Sequence, residues 1–474
     1  METTRRSLPD NAYRPLKPGE VYTPLVQPAE RVPEFTVRSV GLGLAMAALF
    51  SAAAAFLGLK AGQVFEAAIP IAIIGVGIGV VLPRRSTILE NVIVQSVGAA
   101  SGLVVAGSIF TLPALFILGL DTNLFKLFLV ALLGGTLGIL FLVPLRRYFV
   151  RDMHGEFPFP EATATTEVLV AGEAGGKQAK VLAVAAAIGG AFDFVIIHLE
   201  GFAEVFTTRS VPFLAGLAEK AKLVLRIDVL ASILGLGYII GLKYAAIICA
   251  GSFLSWFLLV PAIAHFGAGL ATAVPPVADG TLIGAMSAEM VFRSYVRHIG
   301  IGAIAAAGIL GILLVAMATW LFFRFGVVAD QAGATKLSLI ALGVVIVISF
   351  LFTTVAARAI ATVGTNPVSG MTLMTLILTS VFLVQAGLSG PSGMLAALLI
   401  GGVVCTALSM AGGLITDLKI GYWIGSTPRV QQVSKFLGTI VAAAAVGAVI
   451  LMLDRAYGFV PSPQHPAEKI FAAP

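Results

Sequence analysis

Cysteine is almost missing. The 474 residues hold two, Cys249 and Cys405, each inside an apolar run, so neither a disulfide framework nor a CxxC metal or redox motif can be built. Histidine is nearly as scarce, and His154, His198, His265, His298 and His465 share no metal-ligand spacing. The zinc-protease pattern HExxH is absent, and the glycines and serines between Gly387 and Gly393 do not complete the GxSxG nucleophile turn. A phosphate-binding loop also fails: where Gly176-Lys177 would close one, the first glycine position holds Ala171 and the residue after the lysine is Gln178. No enzyme chemistry, no ATP drive, no cofactor and no metal site are expected.

Charge is scarce too. Asp, Glu, Lys and Arg make up 11% of the chain, against about 25% in soluble domains. What fills the space is apolar: 58% hydrophobic residues and a mean hydropathy of +1.00. The fold class this predicts is all-α and polytopic, a membrane protein. Its 52 glycines read as helix-packing residues, because small side chains let backbones approach where lipid gives no hydrophobic drive for helices to associate. The net charge of +6 comes from basic residues between apolar runs rather than from a stripe along one face, which removes nucleic acid as a partner.

Residues 1–38 carry six prolines and mixed charge without an apolar core, and read as a polar tail rather than a signal peptide. Residues 39–453 form the transmembrane region and 454–474 a C-terminal tail. Charge-free runs at Ser39–Leu59, Ala67–Pro83, Asn91–Leu120 and Leu127–Leu145 approach or exceed the roughly 17–25 residues of a spanning helix. Arg84 and Arg85 follow the second, and Arg146, Arg147 and Arg151 the fourth, while the other connections hold only Lys60 and Glu66 or Asp121 and Lys126. That asymmetry places the N-terminus in the cytoplasm.

Val181–Ile197 makes a fifth span, interrupted by Asp193, and the mixed segment from His198 to Arg226 suits an interfacial helix. Val229–Leu242 makes a further segment, short for a span, and Tyr244 onward predicts a helix ending near Pro261, then a broken Gly- and Pro-rich piece, Gly267 to Met290. Further spans are expected at His298–Phe323 and Leu337–Ala357, two between Ala359 and Thr416 divided near Ser389-Gly390-Pro391, and one at Phe436–Leu453. The total is about twelve, or thirteen if Gly267–Met290 crosses.

One stretch departs from this apolar background, His154 to Glu173, with four glutamates (Glu156, Glu161, Glu167 and Glu173) and a Phe157-Pro158-Phe159-Pro160 run. Pro160 suits the first turn of a helix, where its missing N–H costs nothing, and Glu161 then sits at the positive end of the helix dipole. Glu161, Thr165, Val168 and Leu169 fall on one side of that helix, and Thr163, Glu167 and Ala171 on another. A solvated loop is the plain alternative, but Phe157, Phe159, Val168, Leu169 and Val170 have no use in one. Asn366-Pro367 places a good N-cap before a preferred first helical residue, which predicts a second half-helix end. His198, with Asp193 and Glu200 close by at a span end, is a further ionisable candidate.

Phe157 to Glu173 resembles the Pro-Tyr-Pro-Glu-Gly-Thr-Ala signature, with its following Glu-Val-Leu-x-Ala-Gly-Glu, of the oligopeptide transporter family in its prokaryotic branch. Three more stretches resemble that family in its order: Glu90 to Gly98; Thr365 to Thr372; and Asp417 to Tyr422 with Thr427 to Gln432. Ala162 replaces the usual glycine, and Thr416 stands where the family has glutamine. The resemblance implies a secondary transporter in the cell membrane, moving oligopeptides by proton symport, or metal chelates as in the yellow stripe-like branch. For the solute it implies Glu161, Thr163, Glu167, Asn366, Asp417 and Lys419, and for proton coupling Glu161, Glu167 and His198, since burial of a glutamate favours the neutral acid. Partners are then a small solute, protons and membrane lipid. Pro461 to Gln464 resembles a motif after which family members continue through more spans. The expectation drawn from this is an incomplete unit that associates with a separately encoded part or a second copy, the alternative being a non-transporting remnant.

Overall fold

The computed structural model describes residues 8–61, 66–81, 84–120, 122–174, 176–197, 199, 201–203, 205–240, 242–275, 280–300, 302, 353–364, 371, 376–377, 380–381 and 390–460. The chain is an all-α polytopic membrane protein. Among the described residues, six helices are long and apolar enough to cross a membrane: Val37–Leu59, Ile88–Ile117, Leu124–Leu142, Ala245–Gly267, Ala397–Ile424 and Pro428–Tyr457. The spans expected at His298–Phe323 and Leu337–Ala357 lie almost wholly outside the described residues.

The chain divides into two units, residues 1–179 with 308–474, and residues 180–307. In the first, the helices are α1 (Val37–Ala61), α2 (Ala68–Val81), α3 (Ile88–Ser108), α4 (Pro113–Ile117), α5 (Leu124–Arg147) and α6 (Pro160–Ala174). The second unit carries α7 (Gly176–Ile197, from Lys180 on), α8 (Pro212–Lys220), α9 (Ala231–Ile240), α10 (Leu242–Phe253), α11 (Val260–Gly267) and α12 (Ala288–Val291). The first unit resumes with α13 (Thr353–Val363), α14 (Gly390–Ile424) and α15 (Pro428–Tyr457).

The first unit is built around α3, whose 21 residues are all buried and which touches α1, α2, α5, α6, α14 and α15. Its start is set by a capping box: Thr87 accepts from the Glu90 N–H and Glu90 from the Thr87 N–H. Glu90 is paired as well with the Arg84 guanidinium and the Thr36 hydroxyl. Outer faces remain apolar, with Leu133, Leu140, Ile440 and Met452 each about half exposed or more, as a lipid-facing surface requires.

Glycines set the contact distance between these helices. Gly138 of α5 lies against the Ala407 carbonyl of α14, and Gly438 of α15 against the Val97 carbonyl of α3, so closely that a Cβ at either would be driven into the carbonyl oxygen. Backbone approach of this kind is what small residues provide inside a membrane.

Two expectations about the spans change. The run at Ala67–Pro83 forms α2, 14 residues long and so about 21 Å, short of the roughly 30 Å hydrocarbon core. Pro261 does not end its helix: the backbone widens into a π-turn over Leu254–Leu259 and continues to Gly267, the local adjustment that accommodates a proline's missing hydrogen bond.

In the second unit, the segment expected as an interfacial helix is α8 set between two short antiparallel strands, Val205–Thr207 and Arg226–Asp228, with Phe206 opposite Ile227. Asp193, the acid inside α7, accepts from the Ala231 N–H and so caps α9. The broken piece beyond Gly267 packs Gly267 against Ile283, and Glu289 at its end forms a two-bond ion pair with Arg209, at 2.7 and 2.9 Å. Pro276–Asp279 within it lie outside the described residues.

Gly138→Val is expected to force α5 off α14 and to lower the thermal unfolding midpoint of the purified protein in detergent, with an overpacking penalty of about 1–3 kcal/mol. An unchanged midpoint would show that the contact has slack.

Candidate functional site

Helix α6 begins at Pro160 with Glu161 in its first turn, where the sequence places it. The preceding Phe159 is held at φ 42°, a left-handed backbone that a bulky residue adopts only when its surroundings enforce it. Its N–H donates to the Ala361 carbonyl of α13 at 2.9 Å, and its ring is buried edge-on to Phe157 and Trp423. This anchor turns the chain and points the N-terminal end of α6 inward.

Glu161 is 7% exposed and lines a small cavity shared with Glu66, Leu103, Gly413, Thr416 and Asp417. The cavity lies eleven to fifteen residues along α3, at Ala99 and Leu103, which is about 17–23 Å from the start of that helix. It therefore sits in the middle of the bundle.

Asp417 is the second acid there, and it is neutralised. Its Oδ2 lies 2.6 Å from Lys435 Nζ with both side chains shielded, while Gln95 Nε2 donates to Oδ1 at 2.8 Å and Ser96 Oγ to Oδ2 at 3.2 Å. Lys435 Nζ also donates to the Ser96 carbonyl at 2.9 Å, and Gln431 Nε2 to the Asp417 carbonyl at 2.9 Å. Three helices, α3, α14 and α15, are tied by this one network. Full pairing and hydrogen bonding is the condition for burying two charges.

The other expected site residues fall elsewhere. Asp417 and Lys419 are two apart on α14, about 200° around a helix, so they face different ways. Lys419 is 1% exposed. It donates to the Val150 carbonyl at 2.8 Å, with the rings of Phe159, Tyr422 and Trp423 at 5.3, 4.9 and 5.2 Å. It is not among the residues lining the cavity. Thr163 is half-buried and its hydroxyl donates to the Pro158 carbonyl at 3.2 Å, serving the turn. Glu167 is exposed and accepts from the Tyr13 hydroxyl at 2.7 Å. Asn366 and His198 lie outside the described residues.

Tyr13 belongs to the N-terminal segment, which is a fitted strap and not a loose tail. Trp423 Nε1 donates to the Ala12 carbonyl at 2.9 Å, Tyr22 Oη to the Trp423 carbonyl at 2.8 Å, and the Leu25 and Val26 N–H groups to the last carbonyls of α14 at 3.1 and 2.7 Å. Those two bonds satisfy orphan carbonyls at a helix end. His154 is buried beneath the strap, its Nε2–H donating to the Asn11 carbonyl at 2.8 Å and its ring against Tyr22 and Tyr422. Burial holds its pKa below the usual 6.5, the Asn11 carbonyl and Glu20 oppose that, and Lys419 and Arg14 add to it.

Sequence reasoning missed Glu66, Lys435, Gln95 and Ser96. Glu66 reads in the sequence as a charge of a connecting segment, and Lys435 as lying just before the span expected from Phe436, although it sits two turns inside α15. Gln95 and Ser96 lay within a quoted motif without an assigned role, and their signal was amide and hydroxyl groups in an otherwise apolar helix.

A polytopic helical membrane protein with an acid-lined cavity at the ends of helices too short to cross is the class this fold and site define. Residues 34–329 and 313–474 match the family described as OPT oligopeptide transporter protein. The chain belongs to that family, and its class is that of a membrane transporter. It is also 28% identical, over 480 aligned positions covering 88% of this chain and 73% of the relative, to a Haemophilus influenzae protein named "Putative oligopeptide transporter".

Breaking the buried ion pair from one side, as Asp417→Asn or Lys435→Met, is expected to destabilise the protein by about 3–5 kcal/mol, and the double variant to recover most of that loss. Unfolding of the four proteins in detergent measures it, and a double variant no better than the singles would refute the coupling. A second expectation concerns pH. Because the folded state holds His154 neutral, its contribution to strap docking is complete above about 6.5 and is lost as pH falls through that value toward the lowered folded one. Protease cleavage within residues 8–36 should accelerate on mild acidification, and much less so in His154→Gln.

Proposed function

We propose that this protein is a secondary active transporter that carries oligopeptides or related small solutes by proton symport across the cytoplasmic membrane, with its N-terminus in the cytoplasm. The observation that carries this reading is Glu161, a buried carboxyl at the N-terminal end of a helix too short to cross, facing a cavity in mid-bundle. Discontinuous helices whose N-terminal N–H groups converge near the bilayer centre are how many transporters bind a charged solute. The charge asymmetry of the connecting segments supports the orientation, and the name of the Haemophilus relative supports the substrate class.

In this reading Glu161 takes the proton, and the cavity it shares with Thr416 and Asp417 receives the solute. Asn366 and His198, outside the described residues, stay the solute-binding and ionisable candidates that the sequence names. Glu167 and Lys419 support the site from outside it, one tied to the strap and the other to the Val150 carbonyl.

Purified protein in liposomes, given a mixed pool of di- to hexapeptides and an inward proton gradient, is expected to accumulate peptide, and accumulation should collapse when the gradient is dissipated. Glu161→Gln is expected to abolish gradient-driven uptake while the protein still inserts and runs as a single species. Wild-type rates in that variant would remove Glu161 from the coupling mechanism.

A further inference from the structure

Helices α2 and α6 share more than a wall of the cavity. Glu66, two residues before α2, and Glu161, in the first turn of α6, line the same small cavity. Eleven residues further along α6, Gly172 packs on Val76 of α2. The two helices therefore run side by side in the same direction, each about 21–22 Å long, with both N-terminal ends and both acids at the cavity.

Ionised carboxylates only accept hydrogen bonds, so two carboxyls sharing one cavity can bond to each other only with at least one proton on the pair. Two unprotonated carboxylates at this separation inside low dielectric would repel strongly. The positive ends of α2 and α6 favour keeping one negative charge. Glu161 Oε2 and Glu66 Oε1 are shielded from solvent and accept from no donor among the described residues, and the Thr165 and Thr166 hydroxyls one turn along α6 have no partner there either. The charged groups facing the pair are Asp417 of α14 and Lys435 of α15, which neutralise each other. From α3 the cavity receives only Ala99 and Leu103.

We infer that Glu66 and Glu161 form a single two-carboxyl proton site, which holds one shared proton with one negative charge and takes up a second proton to become neutral. One proton enters and one leaves per cycle, the pair alternating between charge −1 and zero, and the doubly ionised state is never needed. This rests on the transport reading above for its purpose, and assigns to Glu66 a role equal to that of Glu161.

Infrared difference spectroscopy of the protonated-carboxyl stretch, followed through a pH titration of the full chain in lipid, tests the pair without requiring transport. Wild-type protein is expected to titrate in two steps separated by more than about 1 pH unit, and Glu66→Gln and Glu161→Gln each to leave one step at an intermediate midpoint. If each variant instead removes one step and leaves the other unshifted, or if Glu66→Gln titrates like wild type, the shared site is wrong. Either variant suffices should the other fail to fold. In the liposome assay Glu66→Gln is expected to lower gradient-driven uptake at least tenfold. Should wild-type protein move no peptide at all, the transport reading falls while the titration still decides the pair.

Discussion

A buried charge in a membrane protein has to be answered by another charge or by hydrogen bonds, and the ion pair of Asp417 with Lys435 is where this chain meets that condition most completely. Both groups are shielded from solvent, Gln95, Ser96 and the Lys435 ammonium supply the carboxylate, and the Ser96 carbonyl takes a second ammonium proton. Apolar helices slide past one another in lipid with little change in energy, since lipid tails solvate them as well as their neighbours do. A polar lock does not slide. It sets the register of α3 against α14 and α15, and the glycine contacts then set their spacing.

With that frame rigid, the two short helices can be placed against it. Helix α6 is aimed by the strained Phe159 and its bond to Ala361, and α2 is carried along by packing of Val76 against Gly172. Their acids are left with oxygens unsatisfied, in contrast to Asp417 close by. One carboxyl is locked for structure and two keep oxygens without a partner among the described residues, and the difference between them is a lysine within 3 Å in one case and a shared cavity in the other.

The N-terminal strap closes the same end of α14. It satisfies the carbonyls of Trp423 and Ile424 and covers the rings that surround Lys419 and His154. A cation with no carboxylate partner among the described residues is tolerated there because it has a carbonyl and three aromatic faces. Glu167 is used by this strap through Tyr13, which explains why two glutamates on one short helix serve different ends: six residues place them about 120° apart around it.

Much was legible in the sequence. Long charge-free runs fix apolar helices, because no polar group can stay unpaired in lipid, and Pro160 with Glu161 marks the start of α6 because both residues suit a helix N-terminus and little else. Ordered motifs named the family. The length of α2 was not legible, since a run of apolar residues reads alike whether it spans or stops halfway. The partners of Asp417 were hidden for a different reason: Gln95 and Ser96 lie more than three hundred residues away. Glu66 and Lys435 looked like loop charges until folding carried them inward. Local chemistry and hydrophobicity are written residue by residue, so the sequence alone determined the class, the helices and the candidate acid. Which charges neutralise each other depends on distances of a few ångströms between distant segments, and that was decided only when the helices packed.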